Sequence, residues 1–388
     1  MTALPGPQAI PRAALIGIFG GLFCGYVGLT AAIPVLPGFV RERYGASDLA
    51  VGLVVTAPAL TALLVRPIAG GRADLHGHRL VMRAGALILA VGGAGYFLPL
   101  GLPGLVADRL LLGVGEAALF TAGAVWTVSL APHDRRGQLI GLYGVSMWGG
   151  ISVGTFLGAV LKHFGYHAVW ALCVAAPLLG MALIGSVAPT AHQAGTHRHG
   201  SLLPRSTVAP GVALALAAGG YAGLAAFVVL HLQARHIPSG VLVLSCFSAV
   251  YAGTRLVIGR FPDRYGARRV ATSCAVSEAC GLLIIAVAPN LAVAIAGSVV
   301  LGAGFSLLHP SLALMVMNRT DKSQQGAALG AYTSFWDLGV AAWGPLGGLV
   351  AGGPGYQAVF VVAAGCALVS GGIALLISEP IARPIAVA

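Results

Sequence analysis

Twelve long apolar runs constrain this chain more than any other feature of its sequence. A helix needs about 20 mostly apolar residues to cross the hydrocarbon core of a bilayer. The runs lie at 13–36, 49–71, 80–100, 104–130, 137–161, 166–188, 210–232, 240–260, 270–288, 291–317, 325–351 and 356–378. Only 9% of the residues are charged, against about 25% in soluble domains. The sequence therefore predicts an all-α integral membrane protein with twelve transmembrane helices.

Lysine and arginine are unevenly distributed among the connections between these runs. If both termini lie in the cytoplasm, the inner segments hold fifteen of the 22 Lys and Arg residues, the outer loops four and the spans three. Cytoplasmic loops are enriched in Lys and Arg, so the count predicts a multi-pass protein of the inner (plasma) membrane with both termini cytoplasmic. The formal net charge of +11 then reflects orientation, and nucleic acid is not an expected partner.

The two halves of the chain repeat one another at a constant offset of 189 residues. RPIAGGRADLHGHR at 66–79 matches RLVIGRFPDRYGAR at 255–268. Five pairs coincide there: Arg66 with Arg255, Gly70 with Gly259, Asp74 with Asp263, Gly77 with Gly266, and Arg79 with Arg268. The repeat predicts two pseudo-symmetric six-helix bundles, at 1–188 and 210–388, joined by a cytoplasmic linker at 189–209. Transporters built from repeats bind substrate between the repeats, near the bilayer midplane.

With this motif pair and twelve spans, the chain resembles the major facilitator superfamily (MFS) along essentially its whole length. The family's motif after the second span is G-x-x-x-D-[RK]-x-G-[RK]-[RK]. The C-terminal copy has Gly259, Asp263, Arg264, Gly266 and Arg268, and the N-terminal copy keeps Gly70, Asp74, Gly77 and Arg79 but has Leu75 at the basic position. The resemblance implies that the Asp caps a neighbouring helix and pairs with an Arg, latching the two halves when the cavity faces outward. If the arginines of the motif only set the orientation in the membrane, Gly and Asp would not be required at matched positions in both copies.

Four acidic residues lie within the spans, namely Asp108, Glu116, Glu278 and Asp337. A charge at the bilayer centre costs about 2.5–3.5 kcal/mol on insertion scales, so each acid is expected to face a partner or a wet cavity. Glu116 and Asp337 are the candidates for proton coupling. The alternative for Glu116 is a structural hydrogen-bonding role, and the alternative for Asp337 is binding of a cationic substrate group. Asp108 lies near the outer end of its span, where solvation is the alternative. The resemblance places Glu278, in span nine, at the periphery.

The spans also hold three arginines. Arg109 shares a helix face with Glu116, seven residues on. The resemblance places Arg109 in the R-x-x-x-G-x-G pattern that the family links to proton coupling. Arg66 and Arg255 lie toward the cytoplasmic ends of their spans and are expected to extend to the membrane interface.

Aromatic and small polar residues within the spans are candidates for lining a substrate cavity, with helix packing the alternative for each. They are Tyr26, Thr30, Trp126, Trp148, Tyr221, Tyr251, His309 and Trp336. No metal site or cofactor is expected. The histidines in the linker segment HQAGTHRH, 192–199, are too loosely spaced to predict a metal site.

These features predict a secondary transporter that works by alternating access. The strings RLLLGVGEA and DLG…GPLGG resemble a branch of efflux permeases, including arabinose, drug and metallophore exporters, and imply proton-coupled export of a small organic molecule. The fifth span lacks the proline of the G-P-x-x-G-G element found in antiporters, so a facilitator or proton-symport importer of a sugar or organic acid is the alternative. HExxH and Walker motifs are absent from the sequence, and its GxSxG match, GISVG at 150–154, lies inside an apolar run and not at a strand-to-helix turn, which argues against the enzyme and ATPase classes that use these motifs. The expected partners are the small-molecule substrate, protons and the lipid bilayer, and the expected state is a monomer.

Overall fold

Long helices make up nearly all of the structure, a computed structural model that describes residues 12–130, 136–188, 205–320 and 325–377. The N-terminal half contains α1 (Arg12–Ala31), α2 (Leu36–Tyr44), α3 (Asp48–His76), α4 (His78–Gly95), α5 (Gly101–Leu130), α6 (Arg136–Leu161) and α7 (Tyr166–Gly185). The C-terminal half contains α8 (Arg205–Ala234), α9 (Val241–Ile258), α10 (Phe261–Tyr265), α11 (Ala267–Val287), α12 (Leu291–Asn318), α13 (Gln325–Gly352) and α14 (Tyr356–Leu376).

The twelve long helices of these described ranges correspond to the twelve apolar runs. Within the described ranges, ten segments are long and apolar enough to cross a membrane, the first of them running from α1 through α2. The other two long helices are α4, which carries Arg79 and Arg83, and α13, which carries Asp337 and many glycines. The all-α integral membrane fold predicted from the sequence is confirmed.

Helix ends differ from the predicted runs in places with clear local causes. The break expected at Gly101–Pro103 lies inside α5, because a proline in the first turn of a helix displaces no intrahelical hydrogen bond. Gly101 begins that helix with φ +69°, a left-handed conformation that suits glycine. The helix α8 begins at Arg205, so 205–209 of the predicted linker are helical. The rest of that linker, including the histidine-rich segment, lies outside the described residues.

The two halves meet along two seams. In one, α3 of the N-terminal half packs on α13 of the C-terminal half; in the other, α6 packs on α9. An offset of 189 residues carries α3 onto α9 and α6 onto α13, so the sequence repeat exchanges the two seams. Any residue at one seam therefore has a symmetry-related position at the other, which allows the two to be compared directly.

Close backbone approach at the α3–α13 seam depends on glycine. A Cβ on Gly344 would lie 1.8 Å from Thr56 Oγ1 and 2.6 Å from the Gly52 carbonyl oxygen. One turn further along α13, a Cβ on Gly348 would lie 2.6 Å from Leu49 Cα. This end of the seam lies on the face that the charge count predicts to be outer, and there the two halves are in direct backbone contact.

Candidate functional site

An ion pair crosses the α3–α13 seam near the middle of both helices. Arg66 Nε donates to Asp337 Oδ2 at 2.5 Å, and Arg66 Nη2 donates to Asp337 Oδ1 at 3.0 Å. Asp337 is only 1% exposed. The expectation that Arg66 extends to the membrane interface is wrong: a buried carboxylate requires a hydrogen-bonded cation, and Arg66 supplies it.

A second acid lies beside the same guanidinium. Glu116 Oε1 lies 3.7 Å from Arg66 Nη2 and accepts a hydrogen bond of 3.1 Å from Tyr26 Oη. The guanidinium also lies over the Phe120 ring, 4.9 Å from its centroid. We call Tyr26, Arg66, Glu116 and Asp337 the central charge cluster. It draws on α1, α3 and α5 of one half and α13 of the other, and two acids share one cation in it.

Arg109, on α5, is oriented away from this cluster. Its Nε and Nη2 donate to the carbonyl oxygens of Val54 and Val55, and its Nη1 donates to Tyr96 Oη, each at 2.9 Å. Pro58 lies inside α3 and has no N–H for the Val54 carbonyl four residues earlier. Arg109 therefore satisfies a carbonyl that the proline leaves without a helix partner. Its role in proton coupling stays a prediction from the resemblance.

The remaining two intramembrane acids are buried apart from the central charge cluster. Asp108 is 9% exposed and lies against Gly95, and its Oδ2 has no hydrogen-bond partner among the described residues. Glu278, on α11, is fully buried and lies against Gly220 of α8. Neither Glu278 carboxyl oxygen has a hydrogen-bond partner in the described part of the chain. A buried carboxyl without partners is stable only when it is protonated and neutral.

Six aromatic rings form a continuous group at the α6–α9 seam. Trp148 of α6 stacks on Tyr251 of α9 with ring centroids 3.8 Å apart, and also contacts Tyr221 and Trp336 edge-on at 5.9 and 6.1 Å. We call the following residues the aromatic cluster: Trp148, Tyr221, Phe247, Tyr251, Phe305 and Trp336. Trp336 precedes Asp337 in sequence, so the aromatic cluster and the central charge cluster adjoin on α13.

The other predicted cavity residues occupy different positions. Thr30 is buried and donates to the Tyr26 carbonyl oxygen at 2.7 Å, and Trp126 is fully buried in the N-terminal half. His309 packs edge-on against Tyr332, with centroids 5.2 Å apart. Phe247 and Phe305 were not predicted, although their ring contacts place them in the aromatic cluster. No group of three His, Cys, Asp or Glu residues within the described ranges is arranged to hold a metal ion.

The repeated motif forms matching turns in the two halves. Gly77, between α3 and α4, has φ +91°, and Gly266, between α10 and α11, also has φ +91°, a conformation that residues with a Cβ rarely adopt. In the N-terminal copy Asp74 lies 3.9 Å from His78, and Arg79 donates to the Gly185 carbonyl oxygen. In the C-terminal copy Gly259 directly follows α9, α10 carries Asp263 and Arg264, and Arg268 lies in the first turn of α11. The helix α10 packs on α11 and α12, both of its own half.

A polar contact joins the halves at the predicted outer face. Asp48, at the start of α3, accepts a hydrogen bond from Arg41 and another, of 2.7 Å, from Tyr356 Oη of α14. The Arg41 guanidinium lies 5.7 Å from the centroid of the Tyr356 ring. The outer end of the interface is therefore closed by backbone packing and by a shared carboxylate.

A family model described as Major Facilitator Superfamily matches residues 18–244 and 211–386. The chain belongs to the major facilitator superfamily. An uncharacterised MFS-type transporter of Burkholderia mallei (strain SAVP1) is 31% identical over 385 residues, which cover 96% of this chain and 94% of the relative.

Solved structures of MFS proteins share this fold at low sequence identity. The human organic anion transporter MFSD10 (TETRAN) aligns with a TM-score of 0.71 and 19% identity over 95% of this chain and 100% of its own. A variant of the nucleoside transporter NupG aligns with a TM-score of 0.77 and 13% identity over 94% of this chain and 100% of its own. The family model, the MFS-type relative and the long apolar helices make this chain a multi-pass inner-membrane transporter, in a family whose members bind small molecules and are generally not enzymes.

Proposed function

We propose that this chain is a proton-coupled exporter of a small organic molecule that works by alternating access as a monomer, with both termini in the cytoplasm. The observation that carries the proposal is the shared guanidinium of Arg66, which holds Asp337 of the other half at 2.5 Å and lies 3.7 Å from Glu116. Export rather than import rests on the resemblance to efflux permeases in spans four and eleven.

In the proposed mechanism, protonation of Glu116 controls the strength of the contact between the halves. When Glu116 is ionised, it competes with Asp337 for Arg66. When Glu116 is protonated, Arg66 is left to Asp337, and the α3–α13 seam is at its strongest. Coupling of this kind needs only a few kcal/mol of difference between the two conformations, and charge interactions in a partly buried site are of that order.

The opposite conformation requires the outer end of the interface to open. The contacts that must then break are the Arg41–Asp48–Tyr356 group and the packing of Gly344 on Gly52 and Thr56. The paired motifs around Gly77 and Gly266 are then the candidates for joining the halves at the predicted inner face, as the family resemblance implies. The substrate would contact the aromatic cluster, which adjoins the central charge cluster at Trp336.

The test is proton movement in everted vesicles with a fluorescent pH probe inside. An imposed proton gradient is established, and a panel of drugs, sugars and metallophores is then added. Substrate-triggered proton release is expected with the wild type and is expected to be lost in Glu116→Gln and Asp337→Asn. Glu278→Gln is the matched control, because it makes the same acid-to-amide change outside the central charge cluster, and it is expected to retain release.

Two results would contradict the proposal. The first is flux of a labelled substrate without proton movement in the wild type, since it identifies a facilitator. The second is unchanged coupling in both Glu116→Gln and Asp337→Asn, because the protonation site must then lie elsewhere.

A further inference from the structure

Among the residues that the structure describes, Arg255 has no acidic partner. It lies on α9, partly buried, where its Nη1 donates to Tyr251 Oη at 3.3 Å. Its Nη2 lies 3.4 Å from the position that a Cβ on Gly144 would take, so it faces a glycine of α6. Within the described ranges, none of the ion pairs involves Arg255.

Comparison of the two seams shows what this position lacks. The 189-residue offset relates Arg255 to Arg66 and Trp148 to Asp337. At the α3–α13 seam, Arg66 is held by the carboxylate of Asp337. At the α6–α9 seam, the position of that carboxylate is taken by Trp148, whose indole stacks on Tyr251. The repeat has kept the cation at both seams and the anion at only one.

An unpaired guanidinium in a partly buried site favours an incoming anion. A charge removed from water is stable only when it is paired and hydrogen-bonded, and a guanidinium presents a planar set of N–H donors that matches a carboxylate or phosphate. Most of the Arg255 donors are not engaged by Tyr251.

The rings beside Arg255 favour a particular kind of molecule. Trp148 and Tyr251 form a stacked pair, with Tyr221 and Trp336 within 6.1 Å of the Trp148 ring centre. Tyr251 and Trp148 are buried, whereas Tyr221 and Trp336 are partly exposed, so a flat apolar group would make its stacked or edge-on contacts with Tyr221 and Trp336. We propose that Arg255 binds the carboxylate or phosphate of an organic anion whose planar apolar body lies against the aromatic cluster. This assignment of substrate class rests on the proposed transport function.

The test compares three compounds that share one ring system. Radiolabelled 1-naphthylacetate, 1-naphthalenemethanol and 1-(aminomethyl)naphthalene are dialysed to equilibrium against the full-length protein in nanodiscs of pure phosphatidylcholine, which carries no net charge. Benzoate and phenyl phosphate are added as competitors. The wild type is expected to bind the naphthyl anion more tightly than the alcohol or the amine.

Arg255→Gln is expected to weaken binding of the anion about tenfold to a hundredfold, the range for one charge-assisted interaction, and to leave binding of the alcohol unchanged. Arg255→Lys keeps the charge without the planar donor set, and its affinity for the anion is expected to lie between those of the wild type and Arg255→Gln. Arg260→Gln removes a cation that is exposed beyond the end of the same helix, and is expected to change nothing.

Three outcomes overturn the assignment. One is preference for the amine, and another is the absence of any Arg255-dependent binding among the anions. The third is a higher melting midpoint of the protein in phosphatidylglycerol nanodiscs that depends on Arg255, without binding of the soluble anions. That result makes the ligand a lipid headgroup. The proton assay separates this assignment from the proposed function. Arg255-dependent binding without proton movement refutes only the coupling, whereas proton-coupled transport of cations that survives Arg255→Gln refutes only the substrate class.

Discussion

The Arg66–Asp337 pair allows the sharpest prediction about stability, because its two members belong to different halves and differ in their remaining partners. Arg66→Gln removes the only cation of the central charge cluster and leaves both Glu116 and Asp337 without compensation. Asp337→Asn removes one acid, but Arg66 retains Glu116 at 3.7 Å. We therefore expect Arg66→Gln to be the more destabilising of the two substitutions.

The magnitudes follow from burial. Removing one partner of a buried ion pair costs about 3–5 kcal/mol, because the other charge is left uncompensated. Both side chains are well buried, at 11% and 2% exposed, so Arg66→Gln is expected in that range. Asp337→Asn is expected nearer about 1–3 kcal/mol, the cost of an imperfectly satisfied buried polar group. The double replacement Arg66→Met with Asp337→Leu is expected to cost less than Arg66→Gln, since a hydrophobic pair of similar volume replaces an ion pair at little cost.

Thermal unfolding of the purified protein in one detergent, followed by tryptophan fluorescence, measures the order of the midpoints. The expected order, from most to least stable, is wild type, Asp337→Asn, Arg66→Gln, with the double replacement above Arg66→Gln. Equal effects of the two single substitutions would show that Glu116 does not share the guanidinium. A double replacement less stable than Arg66→Gln would show that the pair contributes net stability beyond charge compensation, contrary to the reasoning above.

Three further predictions concern other contacts. Gly344→Ala is expected to destabilise the protein by about 1–3 kcal/mol through overpacking at the α3–α13 seam. Gly141→Ala is the control and is expected to have no such effect, because no described residue lies within 4 Å of the added Cβ. Equal melting midpoints of the two variants would contradict the close approach of α3 and α13. Arg109→Lys is expected to lose two of the three hydrogen bonds and about 1–3 kcal/mol of stability. Adding Pro58→Ala to this variant is expected to reduce the loss, because alanine restores a helix N–H for the Val54 carbonyl. An unchanged loss of stability in the double variant would contradict the pairing of Arg109 with that carbonyl. Glu278→Leu is expected to be as stable as the wild type or more so, because it removes a buried polar group that has no partner among the described residues, and a clear drop in its melting midpoint would reveal a hydrogen bond to Glu278.

Much of the fold followed from the sequence because its signals are local. Span length and the positions of Gly and Pro are properties of short segments, and the offset of 189 residues relates one half to the other without any knowledge of contacts. The partner of Arg66 was different. Arg66 lies close to a motif of basic residues, so its position indicated the membrane interface, and Asp337, which holds it, is 271 residues away. The sequence did show that Arg66 and Asp337 are charged residues of opposite sign within spans and that each needs a partner there.

The difference between the two seams suggests how one repeat can serve two tasks. In the proposals above, the α3–α13 seam keeps the ion pair and the nearby Glu116, so a proton there changes the contact between halves. The α6–α9 seam has replaced the carboxylate with Trp148, so its guanidinium is open to a ligand and its rings supply an apolar surface. Because the seams are related by symmetry and both join the same two halves, a change of conformation that loosens one must alter the other. A proton bound at the first seam and an anion bound at the second would then compete or cooperate through the relative position of the halves alone, with no direct contact between the two ligands.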